Sequence, residues 1–195
     1  PSCTDALVKP VPTVTAGNAG PVCVGGTISL TASSVAGGSY SWNGPNGFAS
    51  TQQNPSIANA TLADAGDYSV TVTVNGCTSP ASTTRPVVNP IPLAVPANNG
   101  PICAGGTLNL TAATVAGGSY NWTGPNGFSS AAQNPVITNA QPGNSGDYFL
   151  TVTANGCPSA PARTLVDVRA LPVTVASNGG PICAGLTLTL GATAV

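Results

Sequence analysis

The chain has 195 residues and almost no charge, with four Lys and Arg, five Asp and Glu and no His for a formal net charge of −1. This composition excludes a basic surface for nucleic acid and a polybasic segment for anionic lipid, and no apolar run reaches the length of a membrane span. A surface with so little charge lacks the repulsion that keeps soluble proteins apart, so we expect copies to associate laterally or end to end into fibres.

One segment occurs twice and organises the chain. PVCVGGTISLTASSVAGGSYSWNGPNGF begins at Pro21, PICAGGTLNLTAATVAGGSYNWTGPNGF begins at Pro101, and a third copy opens at Pro181. A fixed offset of 80 residues indicates an array of one structural unit. We predict a C-terminal remnant of a preceding repeat over 1–10, repeat 1 over 11–90, repeat 2 over 91–170, and the first part of a following, truncated repeat over 171–195.

The first third of repeat 1 alternates with the period of a β-strand. We predict a first strand over residues 11–15, followed by a turn at GNAGP. A second strand over 27–33 places Ile28, Leu30 and Ala32 on one face.

Aromatic residues and turn sequences mark the middle of the repeat. Tyr40 and Trp42 share one face of the next strand, and GPNG at 44–47 predicts a turn before Phe48. A short strand at Ile57 follows the break made by a proline.

The last part of the repeat contains the longest alternating segment. Asn75-Gly76 is the dipeptide favoured in two-residue hairpin turns, and the final strand follows Pro86. The residues predicted to point inward before that turn are Tyr68, Val70, Val72 and Val74. About seven short strands without helical periodicity predict an all-β fold of sandwich type.

Two motifs in each repeat resemble immunoglobulin-like domains. Trp42 corresponds to the core tryptophan, and Tyr68, in Asp64-x-Gly66-x-Tyr68, corresponds to the tyrosine corner. In repeat 2 these residues are Trp122 and Tyr148, with Asn144 in the place of Asp64. The resemblance implies tandem immunoglobulin-like β-sandwich domains arranged end to end.

The resemblance also implies where the two sheets face each other. The inter-sheet cysteines of antibody domains would fall at Ala32 and Val70, and at Ala112 and Leu150. None of these is Cys, so we expect apolar packing alone to close each core.

The complete motif set resembles a more specific family. C-x-G-G-T, Y-x-W-x-G-P-N-G-F, G-D-Y and N-G-C occur in this order in both repeats. This order is similar to the tandem immunoglobulin-like repeats of very large surface proteins and gliding adhesins of Bacteroidota. The resemblance implies export to the cell surface, often by the type IX route, and a non-enzymatic adhesive or filament-forming role.

The cysteines occur at regular intervals. Cys23 and Cys77 are 54 residues apart, as are Cys103 and Cys157. Pairs without His or a CxxC spacing predict disulfides and an oxidising, extracellular location in place of zinc. The six candidates are Cys3, Cys23, Cys77, Cys103, Cys157 and Cys183.

Three pairings are open. Equal spacing favours a bond within each repeat, as Cys23–Cys77 and Cys103–Cys157. In an immunoglobulin-like sandwich, however, Cys23 and Cys77 lie toward opposite ends, about 20 to 40 Å apart, and a disulfide needs Cα atoms within about 7 Å. In an end-to-end array the first turn of repeat 1 meets the hairpin tip of repeat 2, which predicts Cys23–Cys157, with Cys77 and Cys103 paired to repeats outside this sequence. Bonds between chains are the third alternative.

We predict no catalytic residue, cofactor or metal. Asp64 and Asp67 form the only close carboxylate pair, and they are best interpreted as a turn before the tyrosine corner. Calcium needs six or more oxygen ligands, which the sequence does not supply. Tyr40, Trp42 and Phe48 could bind a glycan, but a buried tryptophan beside a packed turn explains them better.

Three functions remain. The first is a structural stalk or filament of a bacterial cell-surface adhesin, whose partners are neighbouring repeats and other copies. The second is a module that binds a glycan or surface, and the third is an ancillary region of a secreted enzyme. The near-identity of the repeats favours the first, because similar units add their contacts by avidity.

Overall fold

The computed structural model describes residues 9–194, and in this range all regular structure is β-strand apart from four short 3-10 turns. The chain divides into two compact units, one of Pro1–Pro92 with Thr153–Ser159 and the other of Leu93–Val152 with Ala160–Val195. The predicted remnant over 1–10 lies almost wholly outside the described residues.

Each repeat contains ten strands, and a further pair follows repeat 2. The strands of repeat 1 are β1 (Ala16–Asn18), β2 (Val22–Cys23), β3 (Ile28–Ala32), β4 (Ser39–Asn43), β5 (Ala49–Ser50), β6 (Ser56–Ile57), β7 (Tyr68–Val74), β8 (Cys77–Thr78), β9 (Ser82–Thr84) and β10 (Val88–Asn89). Those of repeat 2 are β11 (Pro96–Asn98), β12 (Ile102–Cys103), β13 (Leu108–Ala112), β14 (Ser119–Thr123), β15 (Ser129–Ser130), β16 (Val136–Ile137), β17 (Gly146–Ala154), β18 (Cys157–Pro158), β19 (Ala162–Val166) and β20 (Val168–Arg169). The last pair is β21 (Thr174–Asn178) and β22 (Leu190–Ala194), and the 3-10 turns are Pro45–Gly47, Leu62–Asp64, Pro125–Gly127 and Pro142–Asn144.

The strands of each repeat form two sheets and a small parallel pair. In repeat 1 one sheet has the order β1-β3-β6, and the other has the order β5-β4-β7-β8 with β9 also paired to β7. Strands β2 and β10 run parallel. Repeat 2 has the same order, with β11-β13-β16, β15-β14-β17-β18 and the parallel pair β12 and β20. This is an immunoglobulin-like β-sandwich, as predicted.

The buried residues follow the predicted alternation. Ile28, Leu30 and Ala32 are buried along β3, and Tyr40 and Trp42 are buried along β4. Strand β7, which pairs with β4 in the sheet that faces β3, contributes Tyr68, Val70 and Val72. Because successive side chains of a strand point to opposite faces, one set fills the core between the sheets. The positions equivalent to antibody inter-sheet cysteines, Ala32, Val70, Ala112 and Leu150, are all buried in these cores.

The first strand lies later than predicted. Residues 11–15 form no strand, and β1 occupies Ala16–Asn18, so that its last two residues lie in the stretch predicted as the GNAGP turn. Pro10 and Pro12 lack the N–H that a ladder needs. The ladder with β3 begins where Ala16 lies opposite Ala32.

Val74 is less buried than its predicted inward position implies. Val74 ends β7 half-buried, beyond the core, whereas Tyr68, Val70 and Val72 are buried. Its partner across the hairpin is Cys77. The burial of β7 therefore decreases toward the hairpin tip.

The predicted turns are present. Asn75 and Gly76 both have positive φ, at 50° and 83°, as a two-residue hairpin of the favoured kind requires. In GPNG, Asn46 and Gly47 have φ of 52° and 72°, and the turn allows β4 to pair with β5.

The strands after repeat 2 reproduce the start of a repeat. β21 pairs with β22 antiparallel, with Ala176 opposite Ala192. This register equals that of β1 on β3, shifted by two repeats. The apolar side chains of this hairpin are exposed, as Leu188 at 48% and Leu190 at 74% show.

Candidate functional site

The close carboxylate pair of repeat 1 is engaged in local structure. Asp64 Oδ2 accepts hydrogen bonds at 2.8 Å from the Thr61 N–H and the Thr61 hydroxyl, and Asp64 Oδ1 accepts one at 2.8 Å from Asn46 Nδ2. The bonds from Thr61, and then that from Asn46, hold the pKa of Asp64 below its ordinary value. Asp67 forms an exposed ion pair with Arg85 at 3.7 Å. Both carboxylates thus make local contacts that stabilise the turn before β7.

Repeat 2 builds the same turn without the acid. Asn144 Oδ1 accepts a hydrogen bond from the Gln141 N–H at 2.8 Å, in the place of the Asp64 carboxylate. Among residues 9–194 no group of three or more His, Cys, Asp or Glu could hold a metal ion.

Tyr68 and Tyr148 form the tyrosine corners. Tyr68 donates its hydroxyl proton to the Asp64 carbonyl oxygen at 2.9 Å, and Tyr148 donates to that of Asn144 at 3.1 Å. Burial raises the pKa of both phenols, and the Asp64 charge adds to the effect at Tyr68. Both hydroxyls therefore act as structural donors.

The aromatic residues of the GPNG hairpin belong to the core. Trp42 and Trp122 are fully buried, and their Nε1 atoms donate to the carbonyl oxygens of Gln53 and Gln133 at 3.2 and 3.3 Å. Phe48 packs edge-on against the Tyr68 ring, with centroids 5.4 Å apart. The tryptophan faces are thus unavailable to a ligand.

One disulfide joins residues from different repeats. Cys23 is bonded to Cys157 at an S–S distance of 2.04 Å, with Cα atoms 5.6 Å apart and a sequence separation of 134. Cys77, Cys103 and Cys183 carry free thiols, and Cys3 lies outside the described residues. The structure thus contains the inter-repeat bond, and Cys23 is not bonded to Cys77.

The surroundings of this disulfide explain why the two sulfurs meet. Cys23 lies in the C-x-G-G-T segment, which we call the opening turn, and pairs with Asn89 in the parallel ladder of β2 and β10. The Asn89 side chain donates from Nδ2 to the Asn155 carbonyl oxygen at 3.2 Å. Asn155 begins the tip of the closing hairpin, the N-G-C segment between β17 and β18, in which Cys157 pairs with Ala154. A hydrogen bond and a covalent bond therefore hold the closing hairpin of repeat 2 to the opening turn and last strand of repeat 1.

The closing hairpin of repeat 1 accepts the equivalent hydrogen bond but has no disulfide. Lys9 Nζ donates to the Asn75 carbonyl oxygen at 3.2 Å. Lys9 and Asn75 precede Asn89 and Asn155 by one repeat length of 80 residues. Cys77 is only half-buried and unbonded, whereas Cys157 is 1% exposed.

Sequence reasoning did not identify Lys9 and Asn89 as part of this site. The available signal was their equivalent position, directly before the proline that ends each repeat, at Pro10 and Pro90. Different residue types at that position concealed their common role.

The described residues include no helix long and apolar enough to cross a membrane. Residues 91–172, somewhat less than half of the chain, match the family model described as "Ig-like domain CHU_C associated". That segment is therefore an Ig-like domain, and the match supports the resemblance to the Ig-like repeats of the Bacteroidota type. No curated protein matches the chain.

Solved structures of similar fold include murine CEACAM1b, at 13% identity and a TM-score of 0.45, with 80% of this chain and 100% of that chain covered. A mouse coronavirus receptor-binding domain complexed with its murine receptor matches at 13% identity and a TM-score of 0.49, with 80% of this chain and 100% of that chain covered. The amphioxus IgVJ-C2 molecule matches at 17% identity and a TM-score of 0.38, with 75% of this chain and 99% of that chain covered. The fold assignment rests on the sheet order and register described above.

Proposed function

We propose that this chain is a non-enzymatic structural segment of a bacterial cell-surface adhesin, in which sandwiches follow one another in series and disulfides connect consecutive repeats. The observation that carries the proposal is the Cys23–Cys157 bond, which closes a 134-residue separation across two repeats. A bond of this kind restricts how far the chain can extend under tension. A flexible linker between repeats would give no such restriction.

The disulfide also supports an extracellular location. Disulfides persist in oxidising compartments and are rare where glutathione and thioredoxin keep thiols reduced. The family match over residues 91–172 supports a surface protein of the Bacteroidota type. No catalytic role is part of the proposal, because Asp64 and Asp67 are engaged in a turn and an ion pair.

Association between copies of the chain is a further part of the proposal. Phe149 and Leu165 lie exposed on the outer face of one sheet, on neighbouring strands β17 and β19. With a net charge of only −1, little repulsion opposes contact between such surfaces.

Labelling of intact cells tests this function. We expect an antibody raised against the 195-residue chain to label fibres outside the cell in negative-stain micrographs, at many positions along each fibre. External protease should remove the signal from intact cells, and cells that lack the gene provide the control. Signal that is protected from protease until lysis, or label confined to isolated globular particles, would contradict the proposal.

A further inference from the structure

We propose that the closing hairpin of repeat 1 is a docking site for the opening turn of another copy of the repeat, and that Cys77 forms a disulfide with the cysteine of that turn. The partner is defined by its chemistry, a C-x-G-G-T turn whose cysteine pairs in a parallel ladder with the last strand of its own repeat. We assign it to a preceding repeat of the same polypeptide.

The first argument is that the equivalent site is already occupied in this structure. Cys77 pairs with Val74 across its hairpin, as Cys157 pairs with Ala154. Both hairpins have an Asn with φ of 50° at the first turn position. The hairpin of repeat 2 binds the Cys23 turn covalently, so the hairpin of repeat 1 has the geometry to bind such a turn.

The second argument is the contact that Lys9 makes. Lys9 Nζ and Asn89 Nδ2 donate to the same carbonyl of the two hairpins, and both distances are 3.2 Å. Asn89 is also the ladder partner of Cys23. A cysteine that pairs with Lys9 in the same parallel register would therefore lie beside Cys77.

The third argument is exposure. Cys157 and Ala154 are buried at the occupied hairpin, whereas Val74 and Cys77 are only half-buried. An apolar residue and a thiol at a hairpin tip thus remain partly open to solvent where the covering turn is not present.

The position of Lys9 also excludes the Cys103 turn of a second copy as the partner. In a second copy of the 195-residue chain, the Cys103 turn is already paired with Arg169 of its own repeat. Docking that turn on Cys77 would place Arg169 where Lys9 lies. A preceding repeat has no such conflict, because Lys9 belongs to its own C-terminal end, as Asn89 belongs to that of repeat 1.

The bond formation is an oxidation of two thiols. The S–H bonds of Cys77 and of the incoming cysteine break, one S–S bond forms, and two electrons and two protons pass to a low-molecular-weight disulfide, which is reduced to two thiols.

The test keeps all 195 residues and adds a copy of residues 11–80 before Pro1, so that residues 1–10 take the place of 81–90 in the added repeat. After refolding with reduced and oxidised glutathione, non-reducing peptide mapping should find the first cysteine of the added copy joined to Cys77, together with Cys23–Cys157. If that cysteine pairs within its own copy, or if Cys77 remains open to alkylation while Cys23–Cys157 has formed, the proposal is overturned. In the Cys77→Ser variant the first cysteine of the added copy should be alkylated.

A pair of substitutions tests the role of the two donors. Lys9→Ala should slow formation of the Cys77 bond by roughly two- to tenfold, the loss of one hydrogen bond, and leave Cys23–Cys157 unchanged. Asn89→Ala should slow formation of Cys23–Cys157 and leave the rate of Cys77 bond formation unchanged. Equal slowing of both bonds by either variant would contradict the assignment.

If the extended chain does not fold, non-reducing peptide mapping of the protein isolated from cells tests the same pairing. Cys77 recovered as a thiol, or joined to anything other than an opening turn, overturns it. A Cys77 bond to a turn of another chain, seen as multimers on a non-reducing gel, overturns the assignment to the same polypeptide. None of these outcomes depends on the cellular location, so they are distinguishable from a failure of the surface-stalk function.

Discussion

The Cys23–Cys157 disulfide should determine how far the chain extends when it is pulled from its two ends. While the bond is intact, the applied force passes through the disulfide, so the residues between the two cysteines, which make up most of both repeats, are not extended. A separation of 134 residues, at about 3.4 Å per residue, withholds about 450 Å of chain. The Cys23→Ser, Cys157→Ser double variant should therefore reach a contour length about 450 Å greater than that of the oxidised protein.

Single-molecule pulling in the absence of reductant measures this length directly. Reductant should convert the oxidised protein to the longer form, and Cys103→Ser is the matched control, since Cys103 is unbonded. In chain-entropy terms, closing such a loop also contributes about 5 kcal/mol to the free energy of unfolding, which urea denaturation of the same variants would detect. Equal contour lengths for the oxidised protein and the double variant would refute the reasoning.

Three further predictions concern the sandwich itself. Gly44→Ala should lower the free energy of unfolding by about 1–3 kcal/mol, because the added Cβ would collide with the Tyr68 ring. Gly143→Ala should have a smaller effect, because its Cβ would meet only the Asn126 side chain, at 3.4 Å; similar losses for the two variants in urea denaturation would argue against the collision. Tyr68→Phe should cost about 1 kcal/mol through loss of the hydroxyl bond to the Asp64 carbonyl, and an unchanged urea midpoint would show that this bond contributes nothing. Because the pKa of Asp64 is lowered by folding, its contribution is complete above its ordinary pKa of 3.8 and is lost as the pH falls through the folded value. Asp64→Asn should flatten this acid-induced loss, because Asn144 forms the same turn in repeat 2 without a titrating group, and an equally steep loss of stability in the variant as the pH falls below 3.8 would contradict the account.

Local patterns were sufficient to predict most of the sandwich. Ile28 and Leu30 alternate with polar neighbours, and the structure buries both. Asn75-Gly76 needs positive φ at both positions, which few other dipeptides adopt at so low a cost. Such features depend on residues close in sequence, so the sequence shows them directly.

The start and end of the strands depended on contacts that local patterns do not contain. Residues 11–15 alternate like a strand, but the strand lies at Ala16–Asn18, where pairing with β3 is possible. Val74 continues the apolar alternation of β7 but is only half-buried. Burial of a side chain is thus decided by what lies opposite, which periodicity alone cannot specify.

The site was predicted only in part. Topology favoured Cys23–Cys157 over Cys23–Cys77, because a strand length separates the two ends of a sandwich. Lys9 and Asn89 were missed because their hydrogen bonds span 66 residues. Their side chains are also chemically different, so no motif marks the shared position.

The hairpin of β21 and β22 has a practical consequence for anyone who prepares this protein. Leu188 and Leu190 are exposed, although their counterparts Leu108 and Leu110 are completely buried in repeat 2. Two strands without a facing sheet expose an apolar patch through which copies of the 195-residue chain can associate at the concentrations used for crystallography or scattering. A version that stops at residue 170 should stay monodisperse where the longer chain aggregates.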